Sequence, residues 1–179
     1  MYEDVELGVV ARELIEALPK GVLLTTKADD KVNSMTIAWG FIGYEWNRPV
    51  FVALVREGRF TNELLKAHGE FTVNIPHGAF DKKILGLCGS RSGRTTDKIA
   101  EAGLTLASPR TIAVPGIVEL PLTLECRVLY AQTQQLDLLE GDLRADFYPA
   151  DVDSSFHGAN RDAHVAYYGE IVDSYLIQQ

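Results

Sequence analysis

Six stretches of this sequence carry the apolar or alternating pattern of β-strands, and only turns or short helices separate them. They are Gly21 to Thr26, Asn33 to Phe41, Val50 to Val55, Phe71 to Ile75, Leu122 to Tyr130 and much of His164 to Ile177. Strands of a parallel sheet are joined by regular β-α-β crossovers, and no such alternation is present. A doubly wound parallel sheet is therefore disfavoured, and a mainly β, antiparallel barrel with short helices at its rim is expected. The helical patterns fit that role. Val9, Val10, Leu14, Ile15 and Leu18 space residues 5 to 18 as an amphipathic helix stopped by Pro19. Thr61 reads as the N-cap of a helix ending before Gly69. Shorter helices are expected at Ala79 to Leu87 and at Asp97 to Ala102, with Thr96 as a cap. Cys88 to Arg94 reads as a polar, glycine-rich loop, and Gln134 to Phe147 as one acidic helix.

At 179 residues the chain fits one domain over 1–179, with no repeat and no linker to divide it. The net charge of -8 argues against nucleic-acid or anionic-membrane partners, which favour a basic face. The longest unbroken apolar run, Val50 to Val55, is far below the roughly 18 residues of a membrane span. Two cysteines, Cys88 and Cys126, exclude a disulfide scaffold. With an acidic start and no signal peptide pattern, they point to a cytoplasmic home. His68, His77, His157 and His164 lack His-x3-His spacing, so no metal site is expected. There is no G-x-G-x-x-G after a strand and no Walker lysine. Gly89-Ser-Arg-Ser-Gly93 places Arg91 where a hydrolase elbow needs its nucleophile. Asp162-Ala-His164 could be an acid–base pair.

The charge is uneven, and this is the first functional clue. Between Arg56 and Lys98 lie eight basic and five acidic side chains, a local excess of +3 in an acidic protein. Such a segment suggests a confined anion site, such as one ligand phosphate, although Lys82 and Lys83 read as a solvated helix face. Three features support it. The strand Asn33-Ser-Met-Thr-Ile-Ala-Trp39 puts Ser34, Thr36 and Ala38 on a small face that suits a flat heteroaromatic ring. Met35, Ile37 and Trp39 on its other face read first as core, which is compatible with the same idea. Arg56-x-x-Arg59-x-Thr61 gathers two guanidinium groups and a hydroxyl at a helix start, a way to hold phosphate or an ordinary cap beside exposed arginines. Ser90-Arg-Ser92-Gly93-Arg94 followed by Lys98 is a hydroxyl-rich basic loop before another helix start.

Taken together, these segments resemble the flavin reductase-like, FMN-binding split-barrel family, and within it the flavoredoxins. The resemblance runs from about Leu18 to Ile177. It rests on Pro19 to Thr26, Asn33 to Trp39, Arg56 to Thr61, Phe71 to Pro76, Cys88 to Arg94 with Asp97-Lys98, and Asp162 to Ile171. It implies an antiparallel, Greek-key split β-barrel that forms a homodimer and binds FMN near the subunit interface. By this analogy Asn33, Ser34, Met35, Thr36 and Trp39 line the ring. Arg56, Arg59 and Thr61 hold the phosphate, with Ser90, Ser92, Gly93, Arg94 and Lys98. His164 stands near the reactive face, or is instead a half-buried strand histidine bonded to a carbonyl. Cys88 reads as a packing residue, without a partner cysteine nearby.

The implied activity is an oxidoreductase that moves electrons from NAD(P)H or a redox protein through bound FMN. Two alternatives stand beside it. One is an electron carrier or flavin store without NAD(P)H activity. The other is a barrel that has lost its cofactor, against which the basic and hydroxyl residues between 56 and 98 argue.

Overall fold

Val22–Ala28 (β2) and Lys31–Ile37 (β3) form a hairpin across Asp29-Asp30, with Asp29 taking the left-handed conformation at φ 51°. A second hairpin follows, Gly40–Glu45 (β4) with Arg48–Arg56 (β5). Its two turn residues, Trp46 and Asn47, both have positive φ (51° and 57°), the geometry that matches the twist of paired strands. Three more strands complete the main sheet in the computed structural model, which describes residues 1–149 and 162–178. These are Glu70–Ile75 (β6), Leu122–Thr133 (β9) and His164–Ile177 (β10). Tyr2–Asp4 (β1) adds to β10, and the pair Leu106–Ala107 (β7) and Gly116–Ile117 (β8) stands apart.

The strand order is β3-β2-β6-β9-β10-β5-β4, antiparallel throughout. Its two end strands, β3 and β4, are consecutive in the chain and separated only by Ala38 and Trp39. Two residues span on the order of 10 Å, so the ends of the sheet lie close together without a ladder between them. The sheet curls but does not close. This is the expected antiparallel split barrel, and the split is where the candidate site lies.

Alternation then sorts the side chains. Val22, Leu24, Phe51, Ala53, Phe71, Val73, Leu124, Cys126, Val165 and Tyr167 point to one core, which Leu7–Ala17 (α1) covers with Val10 and Leu14. The opposite face of β2, β6 and β9 carries a buried polar layer. There Thr25 donates to Asn74 Oδ1 at 2.9 Å and Thr72 to the Pro115 carbonyl at 2.8 Å. Beside that layer Leu23, Ile84, Cys88, Leu104, Ile117 and Leu120 form a second apolar cluster. It lies against Lys83–Ser90 (α3) and the single turn Lys98–Glu101 (α4). Phe60–His68 (α2) ends at Gly69, left-handed at φ 74°, as the glycine stop predicts.

Several expectations shift. β3 ends at Ile37 rather than running to Phe41, because Gly40 and Phe41 already belong to β4 and pair with Ala53 and Val52 of β5. α3 extends through Cys88-Gly89-Ser90, so the loop is shorter than its glycines suggested. Gln134 to Phe147 is not one helix. It is a 3-10 turn at Leu136–Leu138 and the seven-residue helix Gly141–Phe147 (α5).

Candidate functional site

A cavity of about 210 Å3 opens at the split, lined by Met35, Thr36, Ile37, Ala38, Trp39, Leu54, Arg56, Arg59 and His164. β3 supplies one wall because its outer edge has no partner strand. β5 and β10 supply the other, where Arg56 and His164 stand directly opposite each other in the ladder. A larger hollow of about 720 Å3 lies across Thr36, among Glu13, Glu16, Lys20, Phe80 and Leu85. It is lined by two carboxylates and two lysines, Lys20 and Lys82, whereas the smaller cavity has two arginines and no carboxylate.

Arg56 is buried and works in two directions. Its Nη1 donates to the Asp162 carbonyl at 2.7 Å and its Nη2 to the Phe147 carbonyl at 3.2 Å. The guanidinium lies 5.0 Å from the Tyr148 ring centroid and 5.9 Å from that of Trp39. Burial lowers its pKa, opposed by Asp162, whose carboxylate is 4.0 Å away. Asp162 also accepts from the Gly58 amide at 2.6 Å, so it fixes the turn after β5. Asp162 acts on His164 only through its charge, while His164 Nδ1 is met by Tyr148, so Asp162-Ala-His164 does not form a hydrogen-bonded acid–base pair among the described residues. Arg59, not Thr61, occupies the cap position of α2. Thr61 sits in the first turn, buried, and its hydroxyl accepts from Asn33 Nδ2 at 2.8 Å.

Lys98 lines neither the cavity at the split nor the hollow beside β3, and is the most buried lysine among the described residues. It is only 4% exposed, and its ammonium donates to the Cys88 carbonyl at 3.2 Å, in the last turn of α3. Burial pushes its pKa down to about 8; Cys88 opposes that shift and nearby Arg59 adds to it. Desolvation disfavours a charged ammonium unless an opposite charge arrives. Asp97, rather than Thr96, caps α4 through the Ala100 amide at 3.1 Å. Burial raises the Cys88 thiol, which agrees with a packing role.

The loop between α3 and α4 is drawn toward β3. Arg94 pairs with Glu63 and donates to the Gly58 carbonyl at 3.0 Å. Ser92 Oγ accepts from the Arg94 amide at 3.3 Å, and Ser90 is exposed. Gly93 is buried so tightly that a Cβ there would overlap Asn33 Oδ1 and press on Phe60. That Asn33 oxygen is the one buried side-chain polar atom left without a partner among the described residues. Asn33, Gly93 and Arg94 border a neighbouring hollow of about 350 Å3.

His164 is 6% exposed, and Nδ1 lies 2.8 Å from the Tyr148 hydroxyl. Its ring is 5.0 Å from Trp39. Burial lowers its pKa to about 4; Arg56 and Arg59 lower it further, against a smaller opposing effect of Asp162. The histidine is therefore neutral at physiological pH.

The expected residues thus divide. Met35, Thr36, Trp39, Arg56, Arg59 and His164 share the cavity at the split, and Asn33, Gly93 and Arg94 share the adjoining hollow. The Ser34 hydroxyl is turned inward, 3.1 Å from Thr25 Oγ1, and Thr36 donates to the Leu85 carbonyl at 2.7 Å. Tyr148, Phe147 and Leu54 were not foreseen. The first two come from a segment whose sequence showed only an acidic helical tendency. His157 lies outside the described residues.

An open antiparallel sheet, with a cationic, aromatic-walled cleft where its ends meet, defines a split-barrel protein suited to an anionic aromatic ligand. Comparison with known proteins agrees. Residues 15–178 match the flavin reductase like domain, and the chain belongs to that family. Over 111 residues it is 30% identical to an uncharacterized protein of Archaeoglobus fulgidus, spanning 62% of this chain and 62% of that relative. Among solved structures it is similar to an FMN-binding domain of a flavin reductases-like enzyme from Shewanella baltica. That match has a TM-score of 0.68 and 16% identity, over 98% of this chain and 77% of the other. A flavoredoxin from Methanosarcina acetivorans matches with a TM-score of 0.63 and 25% identity, over 89% and 69%.

Proposed function

We propose that the cleft at the split holds FMN and that the protein is a flavin-dependent oxidoreductase, drawing electrons from NAD(P)H or a redox protein. The observation that carries this reading is the convergence of three cations: Arg56 and Lys98 are buried, and the charge of Arg59 lowers the pKa of both. A phosphate dianion is the group that fits them. The cradle around Gly93 and the spare acceptor on Asn33 suit a polar ligand arm. In this reading Arg59 and Lys98 hold the phosphate, and Arg56 contributes long-range charge while tethering Phe147 and Asp162. The backbone edge of β3 from Met35 to Ile37, with Ala38, Trp39 and Leu54, takes the ring. Bound FMN supplies the capacity to accept and release hydride or single electrons. The protein's own part is to orient the ring, exclude water with Trp39 and Phe147, and present a neutral His164 to it.

The family and its FMN-binding structural relatives support the cofactor. An exposed aromatic surface around Tyr44, Trp46 and Tyr130 supports the homodimer, with Trp46 and Tyr130 ring centroids 6.2 Å apart. The experiment is an FMN titration of the purified protein, followed by addition of NADH, NADPH or dithionite. Uptake of FMN with bleaching by a nicotinamide is expected. Bleaching by dithionite alone would leave an electron carrier or flavin store, and failure to take up FMN would overturn the proposal. Arg59→Ala should weaken FMN at least tenfold relative to riboflavin, since one charge-assisted bond to phosphate contributes about 1.5–3 kcal/mol.

A further inference from the structure

We infer that Tyr148 is a positioning residue that fixes which nitrogen of His164 carries the proton, so that a histidine lining the cleft keeps Nε2 as a hydrogen-bond acceptor. The argument is one of direction. The Tyr148 hydroxyl has one proton, and it donates that proton to Gln134 Oε1 at 2.8 Å, an oxygen that can only accept. The same hydroxyl oxygen lies 2.8 Å from His164 Nδ1. With its proton committed, it can only accept there, so Nδ1 carries hydrogen and donates. The lone pair is then left on Nε2, the ring nitrogen that forms no hydrogen bond to a described residue.

The relay is held from both ends. The Gln134 amide donates to the His164 carbonyl at 2.9 Å, which locks the first residue of the relay to the last. Tyr148 follows α5, and Arg56 grips the carbonyl just before it. The groups facing His164 are Arg56 on β5, Arg59 at the start of α2, Asp162 ahead of β10, and Tyr148. Burial keeps the ring neutral down to about pH 4, so over the working range the tautomer, not the charge, decides what His164 offers. An acceptor at Nε2 selects an N–H or O–H group, such as a carboxamide N–H, and rejects a carbonyl or carboxylate presented there. This deepens the reading of the cleft as a ligand site and rests on it only for the identity of the occupant.

The test is made on the 15N-labelled protein without FMN, by long-range 15N–1H correlation of the His164 ring at pH 7.5. The wild type should show a pyrrole-like Nδ1 and a pyridine-like Nε2. Tyr148→Phe should invert that pattern. Gln134→Leu should invert it too while keeping the tyrosine, because the freed hydroxyl then donates to Nδ1. Gln134→Glu, an obligate acceptor, should retain the wild-type pattern. If Tyr148→Phe does not fold, the Leu and Glu variants at 134 still decide. A wild-type protein protonated at Nε2, or an unchanged pattern in Gln134→Leu, overturns the inference. Neither outcome bears on FMN uptake, so the tautomer and the cofactor can fail independently.

Discussion

Replacing Lys98 by Met should make the FMN-free protein more stable and its grip on FMN weaker. The wild-type ammonium is 4% exposed, and its pKa falls from 10.5 to about 8 on folding. The sign follows from linkage. The unfolded chain holds this proton up to pH 10.5 and the folded one only up to about 8, so keeping the charge costs the native state throughout neutral pH. At 1.36 kcal/mol per pKa unit the cost is about 3 kcal/mol. Losing the bond to the Cys88 carbonyl returns about 1 kcal/mol of that. Met fills similar apolar volume, so the net gain is about 2 kcal/mol, or about 4–8 °C in Tm for a chain of this length. FMN affinity should fall about 10- to 100-fold, while riboflavin, which lacks the phosphate, should bind as before. Differential scanning fluorimetry without ligand and parallel FMN and riboflavin titrations read both effects. The wild-type stability advantage of alkaline pH between 8 and 10.5 should be absent in the variant. A variant that is less stable than wild type and keeps the FMN-to-riboflavin ratio would refute the reasoning and make Lys98 a plain helix-end brace.

Other perturbations test neighbouring parts. His164 has a native pKa of about 4 against 6.5 when unfolded, so its contribution is lost as pH falls from about 6.5 to 4, a change of about 3 kcal/mol. Urea midpoints across that range should drop more steeply for wild type than for His164→Gln. Gly93→Ala forces a methyl onto Asn33 Oδ1 and Phe60 Cδ1, and should cost about 1–3 kcal/mol with reduced FMN uptake. Glu125 is fully buried and accepts the amides of Arg110, Thr111 and Ile112 at 2.7, 2.7 and 3.1 Å, with the Tyr175 hydroxyl at 2.8 Å. Glu125→Gln turns one acceptor into a donor facing donors. Chemical denaturation should show a loss of about 3 kcal/mol, with FMN binding unchanged.

The strands were legible because their alternation is driven by one local rule, burial of every second side chain, which Val22, Leu24, Phe71 and Val73 obey. β4 was missed because Gly40–Glu45 is solvent-facing on much of its length, so no apolar rhythm announces it. Its turn at Trp46-Asn47 is the one signal that could have found it. The cationic character of residues 56 to 98 was legible as composition, but its division of labour was not. Nothing in the sequence distinguishes Arg94, whose donors go to Glu63 and Gly58, from Lys98, which is buried without a carboxylate partner among the described residues. That difference depends on which loop folds over which strand. Tyr148 is beyond local reading for the same reason, since its meeting with His164 is a product of tertiary packing between residues 16 apart in the chain.

A split barrel could satisfy more backbone hydrogen bonds by closing, with β3 paired to β4, and the two-residue connection already brings their ends within reach. What stands in the gap argues against an idle opening. Trp39 occupies the connection at 36% exposure, Arg56 and His164 face it from paired strands, and a lysine lies buried behind β3 with its charge destabilised. In a barrel that bound no anion these groups would carry desolvation costs. For Arg56 they are met by two carbonyls and Asp162, and for His164 by Tyr148. For Lys98 they are met by the Cys88 carbonyl alone among the described residues. A substitution as small as Lys98→Met would remove the largest of those costs in one step. The buried charge of Lys98 is therefore the feature most in need of a compensating anion, which the proposed FMN phosphate would supply.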